Sequence, residues 1–108
     1  MNIPESYGAI KKLIRENEMV LVYFGSESCG VCIAVKPRIE EILKNYPGIK
    51  CIEVDVDKSI GAAGEYNVFT IPVILLFING KETIREARFI SIQDLEYKIA
   101  RYYNMLFE

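Results

Sequence analysis

Histidine is absent from this chain, and only three of its 108 residues are cysteines. Zinc and iron–sulfur sites draw most of their ligands from these two residue types. A closed four-ligand site therefore cannot be assembled within one chain without carboxylates, which leaves a site shared between two copies as the metal alternative. An odd number of cysteines is also not the framework of a small secreted domain held by disulfides. The pattern is one close pair plus a single cysteine.

Long apolar runs are absent as well, although 51% of the residues are hydrophobic. No uninterrupted apolar segment approaches the roughly 18 residues of a membrane-spanning helix. The polar opening, residues 1–6, has neither the basic start nor the apolar stretch of a secretory signal. Provided that the sequence is complete, these absences predict a soluble cytoplasmic protein with no membrane partner.

Neither sign of charge dominates. Thirteen lysines and arginines are interspersed with 15 aspartates and glutamates, for a net charge of −2. A chain that binds nucleic acid usually carries a basic excess or a basic patch, so nucleic acid is not an expected partner. The length suits one core, and we expect residues 1–108 to form a single domain.

The most informative stretch is Cys29-Gly30-Val31-Cys32, which follows an apolar run and precedes a segment with helical periodicity. A cysteine at a helix start faces unpaired backbone N–H groups and the positive end of the helix dipole, which favour the reactive thiolate. A second cysteine about one turn further on can attack a mixed disulfide formed by the first and release the substrate. Cys29 is therefore the expected nucleophile and Cys32 the resolving thiol. Half of a metal site and an inert pair are the alternatives.

Hydrophobic periodicity predicts an alternation of helices and strands around this pair. Strands are expected over residues 19–24, 49–56, 73–78 and 82–88. Helices are expected over residues 6–17, from the cysteine pair to residue 46, over residues 59–66 and from residue 91 onwards. Ser59 and Ser91 are expected to cap the last two helices, and Asn79-Gly80 predicts a tight hairpin. A parallel strand–helix–strand unit followed by an antiparallel hairpin belongs to the α/β class.

These motifs, in this order, resemble those of the thioredoxin family over nearly the whole chain. The resemblance rests on the cysteine pair after a buried strand, on Pro37 five residues beyond Cys32, on Ile71-Pro72 before the penultimate strand, and on Asn79-Gly80. It implies a thioredoxin-like fold, in which a central mixed sheet of about four strands is flanked by helices on both faces.

The resemblance also implies how a substrate is held. It implies a cis peptide bond before Pro72, next to the cysteine pair. The residue before this proline, Ile71, is expected to offer its backbone to an extended substrate peptide, as in strand addition. The resemblance further implies an apolar patch around the nucleophile, which consists of Gly30, Val31, Ile71, Pro72 and Phe89.

The chain departs from the family at several positions of the site. Ser28 stands where the family usually has tryptophan, and Val31 where it usually has proline. Tyr23 replaces a buried aspartate that normally assists deprotonation of the resolving thiol, and Glu53 replaces a lysine beside it. We therefore hypothesise that Glu53 lies beneath the pair and accepts the proton of Cys32, with the Tyr23 hydroxyl orienting it. The alternative is that Glu53 faces solvent and the site works without a dedicated base.

Two further residues carry open interpretations. Arg88 occupies the place of a glycine that lines the substrate surface in the family. A cation there could select acidic partners or stabilise the Cys29 thiolate, or it could reach into solvent as arginines on edge strands usually do. Cys51 is expected to be a small buried hydrophobic residue on its strand.

The function expected from the resemblance is a thiol–disulfide oxidoreductase that reduces protein disulfides. No bound cofactor is required, because the electrons reside on the two sulfurs. The expected partners are disulfide-containing proteins and an electron donor of the thioredoxin-reductase type. The alternatives are a specialised redox partner of one enzyme, a redox sensor, and a non-catalytic binding module of the same fold.

Overall fold

The fold is built from alternating helices and strands. The structure, a computed structural model, describes residue 4 and residues 6–107, with Ile60 described by its backbone alone. Within these residues four helices and four strands follow one another in the predicted order. They are α1 (Tyr7–Glu16), β1 (Met19–Gly25), α2 (Gly30–Leu43), β2 (Ile49–Asp55), α3 (Ile60–Glu65), β3 (Val73–Ile78), β4 (Lys81–Ala87) and α4 (Ile92–Phe107).

The four strands of the described residues form one mixed sheet in the order β2-β1-β3-β4. β1 pairs with β2 in parallel, and β3 pairs with both β1 and β4 in antiparallel orientation. The two central strands, β1 and β3, are buried along nearly their whole length. This explains why their sequences are continuously apolar instead of alternating. The predicted mixed sheet is confirmed.

Each face of the sheet carries its own hydrophobic cluster. Alternate residues of β1 point to opposite faces, so Val20, Val22 and Phe24 join a cluster with α1 and α3. Met19, Leu21 and Tyr23 join a second cluster with α2 and α4. The helices therefore cover both faces, as predicted, and the cysteine pair lies at the end of the sheet where β1 leads into α2.

The local signals at the ends of elements are mostly confirmed. Asn79 and Gly80 both have positive φ, 50° and 82°, as the tight turn between β3 and β4 requires. The Ser91 hydroxyl accepts from the Asp94 N–H over 3.3 Å. The cap predicted for Ser59 is wrong, since its side chain makes no capping hydrogen bond. α2 ends at Leu43, before the predicted residue 46, because the next amides bond three residues back and tighten the turn.

Within residue 4 and residues 6–107, none of the helices has both the length and the apolar character needed to cross a bilayer.

Candidate active site

The two cysteines of the pair lie at the start of α2, Cys29 just before its first turn and Cys32 within it. Cys29 is the N-cap residue, with extended backbone at φ −97° and ψ 108°. Cys29 and Cys32 form a disulfide with their Cα atoms 5.2 Å apart. The Cys32 N–H donates to the Cys29 Sγ over 3.1 Å. Because this N–H belongs to the first turn of a helix, it is available to a thiolate at Cys29 after reduction.

The two sulfur-bearing residues differ in how accessible they are. Cys29 is half-buried, whereas Cys32 is only 3% exposed. Gly30 and Val31, which separate them, are both exposed, Val31 by 56%. An incoming disulfide can therefore reach Cys29 from solvent, while Cys32 is covered by the protein. This asymmetry suits a nucleophile followed by a resolving thiol.

A chain of hydrogen bonds fixes the residues that lead into Cys29. The Ser26 hydroxyl donates to Asp57 Oδ2 over 2.5 Å. Because a hydroxyl has one hydrogen, Ser28 Oγ must be the donor in its 3.0 Å hydrogen bond with Ser26 Oγ. Ser26 Oγ also accepts from the Ser28 N–H over 3.2 Å. Asp57 was not predicted to belong to the site, because it lies 31 residues from Ser26 and carries no local signal.

The Ile71-Pro72 peptide bond is cis, as the resemblance implied. Ile71 is half-buried and contacts the same hydrophobic cluster as Cys29. The Pro72 carbonyl accepts from the Arg88 N–H over 3.0 Å. Among the described residues, no hydrogen bond involves the N–H or C=O of Ile71. Both backbone groups of Ile71 are therefore unpaired within the described residues.

Exposed apolar side chains lie on both segments that flank Pro72 and on the start of α2. Phe69, before the proline, is 82% exposed, and Phe89, beside Arg88, is 95% exposed. On α2, Ile33 is 60% exposed in addition to Val31. Val31 and Phe89 were predicted from the sequence, whereas Phe69 and Ile33 were not. Phe69 could have been predicted to be exposed near the site, because it is an aromatic residue in an irregular segment two positions before Ile71.

Arg88 lies in a left-handed backbone conformation, with φ of 61°. Its side chain is exposed. Within the part of the chain that the structure describes, its guanidinium makes neither an ion pair nor a hydrogen bond. The structure therefore places an unpaired positive charge next to Phe89, on a residue whose N–H bonds to the Pro72 carbonyl.

A cavity of about 370 Å³ lies on the other side of the cysteine pair, and Cys32, Tyr23, Lys36 and Glu53 are among its lining residues. Tyr23 and Glu53 lie directly opposite each other in the β1–β2 register. Glu53 Oε1 is 2.7 Å from Lys36 Nζ, and the Glu53 side chain is 22% exposed. This hydrogen bond raises the pKa of Lys36 above its ordinary value. Glu53 is thus neither fully buried nor free in solvent, and Lys36 is a partner that the sequence analysis missed.

The Tyr23 hydroxyl does not orient Glu53, contrary to our expectation. It donates its only hydrogen to the Cys32 carbonyl over 2.7 Å. Burial, with a smaller contribution from the charge of Glu53, raises the pKa of Tyr23 to about 12, so this donor stays protonated at neutral pH. A Cβ on residue 25 would lie 3.1 Å from the Tyr23 ring, so the glycine at this position leaves room for the ring.

The third cysteine plays no part in the pair. Cys51 is half-buried on β2, and burial raises the pKa of its thiol to about 12. The expectation that Cys51 is a small buried hydrophobic residue is met only in part, because it is half-buried and packs against the cluster under α2 and α4. Among the residues that the structure describes, no three cysteine, aspartate or glutamate side chains come together as metal ligands would.

Comparison with known proteins agrees with the geometry. A protein-family model described as Thioredoxin matches residues 5–101. The chain is 38% identical over 97 residues to the thioredoxin-like protein YdfQ of Bacillus subtilis, and the match covers 90% of this chain and 87% of that protein. It is 36% identical over 83 residues to the thioredoxin of Rickettsia felis, covering 75% and 77% of the two chains.

Solved structures give the same result. Fasciola hepatica thioredoxin superimposes with a TM-score of 0.86 at 30% identity, covering 94% of this chain and 98% of that one. Plasmodium falciparum thioredoxin also has a TM-score of 0.86, at 28% identity, covering 94% and 99%.

Proposed function

This chain belongs to the thioredoxin family and is a thiol–disulfide oxidoreductase, and we propose that it reduces protein disulfides with Cys29 as nucleophile and Cys32 as resolving thiol. The observation that supports these roles most directly is the disulfide at the start of α2, in which Cys29 is accessible and Cys32 is covered. A helix N-terminus stabilises the thiolate that the first step needs.

The proposed reaction transfers two electrons from the protein to the substrate. The Cys29 thiolate attacks one sulfur of the substrate disulfide, so that a mixed disulfide forms and the first substrate thiol leaves with a proton. The Cys32 thiolate then attacks Cys29 Sγ, which breaks the mixed disulfide and releases the second substrate thiol. The protein ends as the Cys29–Cys32 disulfide, and the substrate as two thiols.

The surface around Cys29 is suited to hold the substrate during these steps. The free backbone of Ile71 can pair with an extended segment of the substrate, as one strand adds to another. Gly30, Val31 and Phe89 are exposed and offer apolar contacts, and Arg88 is exposed beside Phe89. Pro72, which was expected to belong to the same patch, is buried and therefore contributes mainly by fixing the backbone of Ile71. These contacts would hold the substrate sulfur close to Cys29 and in line with it.

Glu53 is the proposed acceptor of the Cys32 proton. It shares a cavity with Cys32, and a cavity of about 370 Å³ has room for water that carries the proton between them. Its ion pair with Lys36 holds the carboxylate in place. A base positioned in this way would speed the resolving step, because Cys32 attacks only as a thiolate.

The redox cycle requires a reductant that restores the dithiol. We assign this role to an electron donor of the thioredoxin-reductase type, which would pass two electrons to the Cys29–Cys32 disulfide. The reaction then belongs in a reducing compartment such as the cytoplasm, where substrate thiols persist. No cofactor needs to be bound by this chain, since the two sulfurs carry the electrons.

The proposed function is tested by mixing the pre-reduced protein with a disulfide-containing protein and counting the thiols released. Wild type should release two thiols per molecule. Cys32→Ser should stop at a mixed disulfide that mass spectrometry detects, and Cys29→Ser should be inactive. Cys51→Ser is the matched control and should behave as wild type. Continued reduction by Cys29→Ser would contradict the assignment.

The role of Glu53 is tested separately by Glu53→Gln. Decay of the preformed mixed disulfide should slow by roughly tenfold to a hundredfold, and its pH profile should change. Glu86→Gln is a matched control, because Glu86 pairs with Lys98 over the same 2.7 Å and is 20% exposed, on the edge strand opposite to the one that carries Glu53. An unchanged rate and pH profile in Glu53→Gln would show that the site works without this base.

A further inference from the structure

Arg88 adopts a backbone conformation that glycine would adopt more easily. Its φ of 61° lies in the left-handed region, where a β-carbon crowds the backbone. The conformation is held in place by the hydrogen bond from the Arg88 N–H to the Pro72 carbonyl. A side chain kept in this strained position, and tied by its N–H to the residue after Ile71, is expected to have a use there.

The charge of Arg88 is not used within the described part of the chain. Arg85, three residues earlier, offers a direct comparison. Its guanidinium makes two hydrogen bonds of 2.8 Å to Glu82 and donates to the carbonyls of Tyr66 and Asn67. Arg85 is therefore a structural residue, whereas Arg88 presents a free guanidinium to solvent. A free guanidinium is a strong partner for a carboxylate.

The apolar residues next to Arg88 define the rest of the surface. Phe89 is 95% exposed and Phe69 is 82% exposed, on the two segments that flank Pro72. Exposed phenylalanine rings lose contact with water when a partner covers them, and this contributes to binding. Phe69 lies three residues before Pro72, and the Arg88 N–H bonds to the Pro72 carbonyl. One cation and two exposed aromatic rings, Arg88, Phe69 and Phe89, therefore lie on the two segments that meet at Pro72, and we call them the Arg88 surface.

We propose that this surface selects protein disulfides whose cysteine lies in an extended, apolar segment with a carboxylate side chain close to the cysteine. The proposal rests on the proposed function and names its substrate class. The extended segment pairs with the free backbone of Ile71, its apolar side chains cover the phenylalanines, and its carboxylate approaches Arg88. The two-electron chemistry is the one already described, and the charge pair only changes how well the substrate is held and oriented.

The test uses three peptides that differ at a single position near their cysteine, which carries glutamate, glutamine or lysine. Each cysteine is oxidised to a mixed disulfide with the neutral thiol 2-mercaptoethanol. Their rates of reduction by the pre-reduced protein are compared in single turnovers. Wild type should prefer glutamate over glutamine by about two- to fivefold, and glutamine over lysine by a similar factor. The preference should shrink toward unity in about 1 M salt.

Arg88→Gln should remove most of this preference, and Arg88→Glu should reverse it. Arg101→Gln is the matched control: it removes one exposed arginine on α4 and should keep the wild-type order. Equal rates for the three peptides in wild type would overturn the substrate class while leaving the proposed function intact. A preference that survives in Arg88→Gln would overturn the assignment to Arg88. If no peptide is reduced at all, the proposed function itself fails.

Discussion

Replacing Tyr23 by phenylalanine removes a single hydroxyl from the core beneath the active site. That hydroxyl donates to the Cys32 carbonyl over 2.7 Å, and the side chain is only 1% exposed. A buried hydrogen bond contributes about 0.5–1.5 kcal/mol net, and an acceptor left without its donor adds to the loss. We therefore expect Tyr23→Phe to lower the free energy of unfolding by about 1–2 kcal/mol. In a chain of this length that corresponds to a fall in Tm of roughly 4–8 °C.

Urea unfolding of the oxidised protein measures this difference. The matched control is Tyr66→Phe, because the Tyr66 hydroxyl makes no hydrogen bond to another described residue although its ring packs against Tyr7 and Phe77. The control should change the free energy of unfolding by less than about 0.5 kcal/mol. If Tyr23→Phe is no less stable than Tyr66→Phe, the hydroxyl does not hold the start of α2 and the reasoning is refuted.

Three other outcomes follow from single groups. Arg85→Met should lower the free energy of unfolding by about 1 kcal/mol, because it removes the donors to the Tyr66 and Asn67 carbonyls at a partly exposed site. A urea unfolding curve that matches wild type would contradict this. In the reduced native protein at about pH 8, iodoacetamide should label Cys51 at least a hundredfold more slowly than Cys29, because burial raises the Cys51 pKa from 9.0 to about 12; equal labelling would contradict it. Burial also raises the pKa of Tyr23 from 10.0 to about 12, so the protonated form is favoured in the folded state. The resulting stability is fully present below about pH 10 and is lost as the pH rises toward 12, with a slope of up to about 1.4 kcal/mol per pH unit. Urea unfolding at a series of alkaline pH values should show this fall in wild type, and a flat profile would contradict it.

The order of elements and the reacting residues followed from the sequence, because their signals are local. A continuous apolar run marked each central strand, and Asn79-Gly80 marked the hairpin by its tolerance of positive φ. The position of Cys29 and Cys32 between a strand and a helix indicated a redox pair, and the motifs around Pro37 and Pro72 made that prediction specific. The local signal failed at Ser59, which precedes α3 without capping it.

The surroundings of the cysteine pair were decided by the tertiary structure alone. The register of β1 and β2 places Tyr23 opposite Glu53. The Tyr23 hydroxyl nevertheless donates to the Cys32 carbonyl, and the Glu53 carboxylate forms an ion pair with Lys36 on α2. Arg88 is a second example. Neither its left-handed backbone conformation nor its lack of an ion pair within the described residues could be predicted from the neighbouring residues in the sequence. Partners in these contacts come from different elements of the fold, so their identity depends on how strands and helices are packed and not on spacing along the chain.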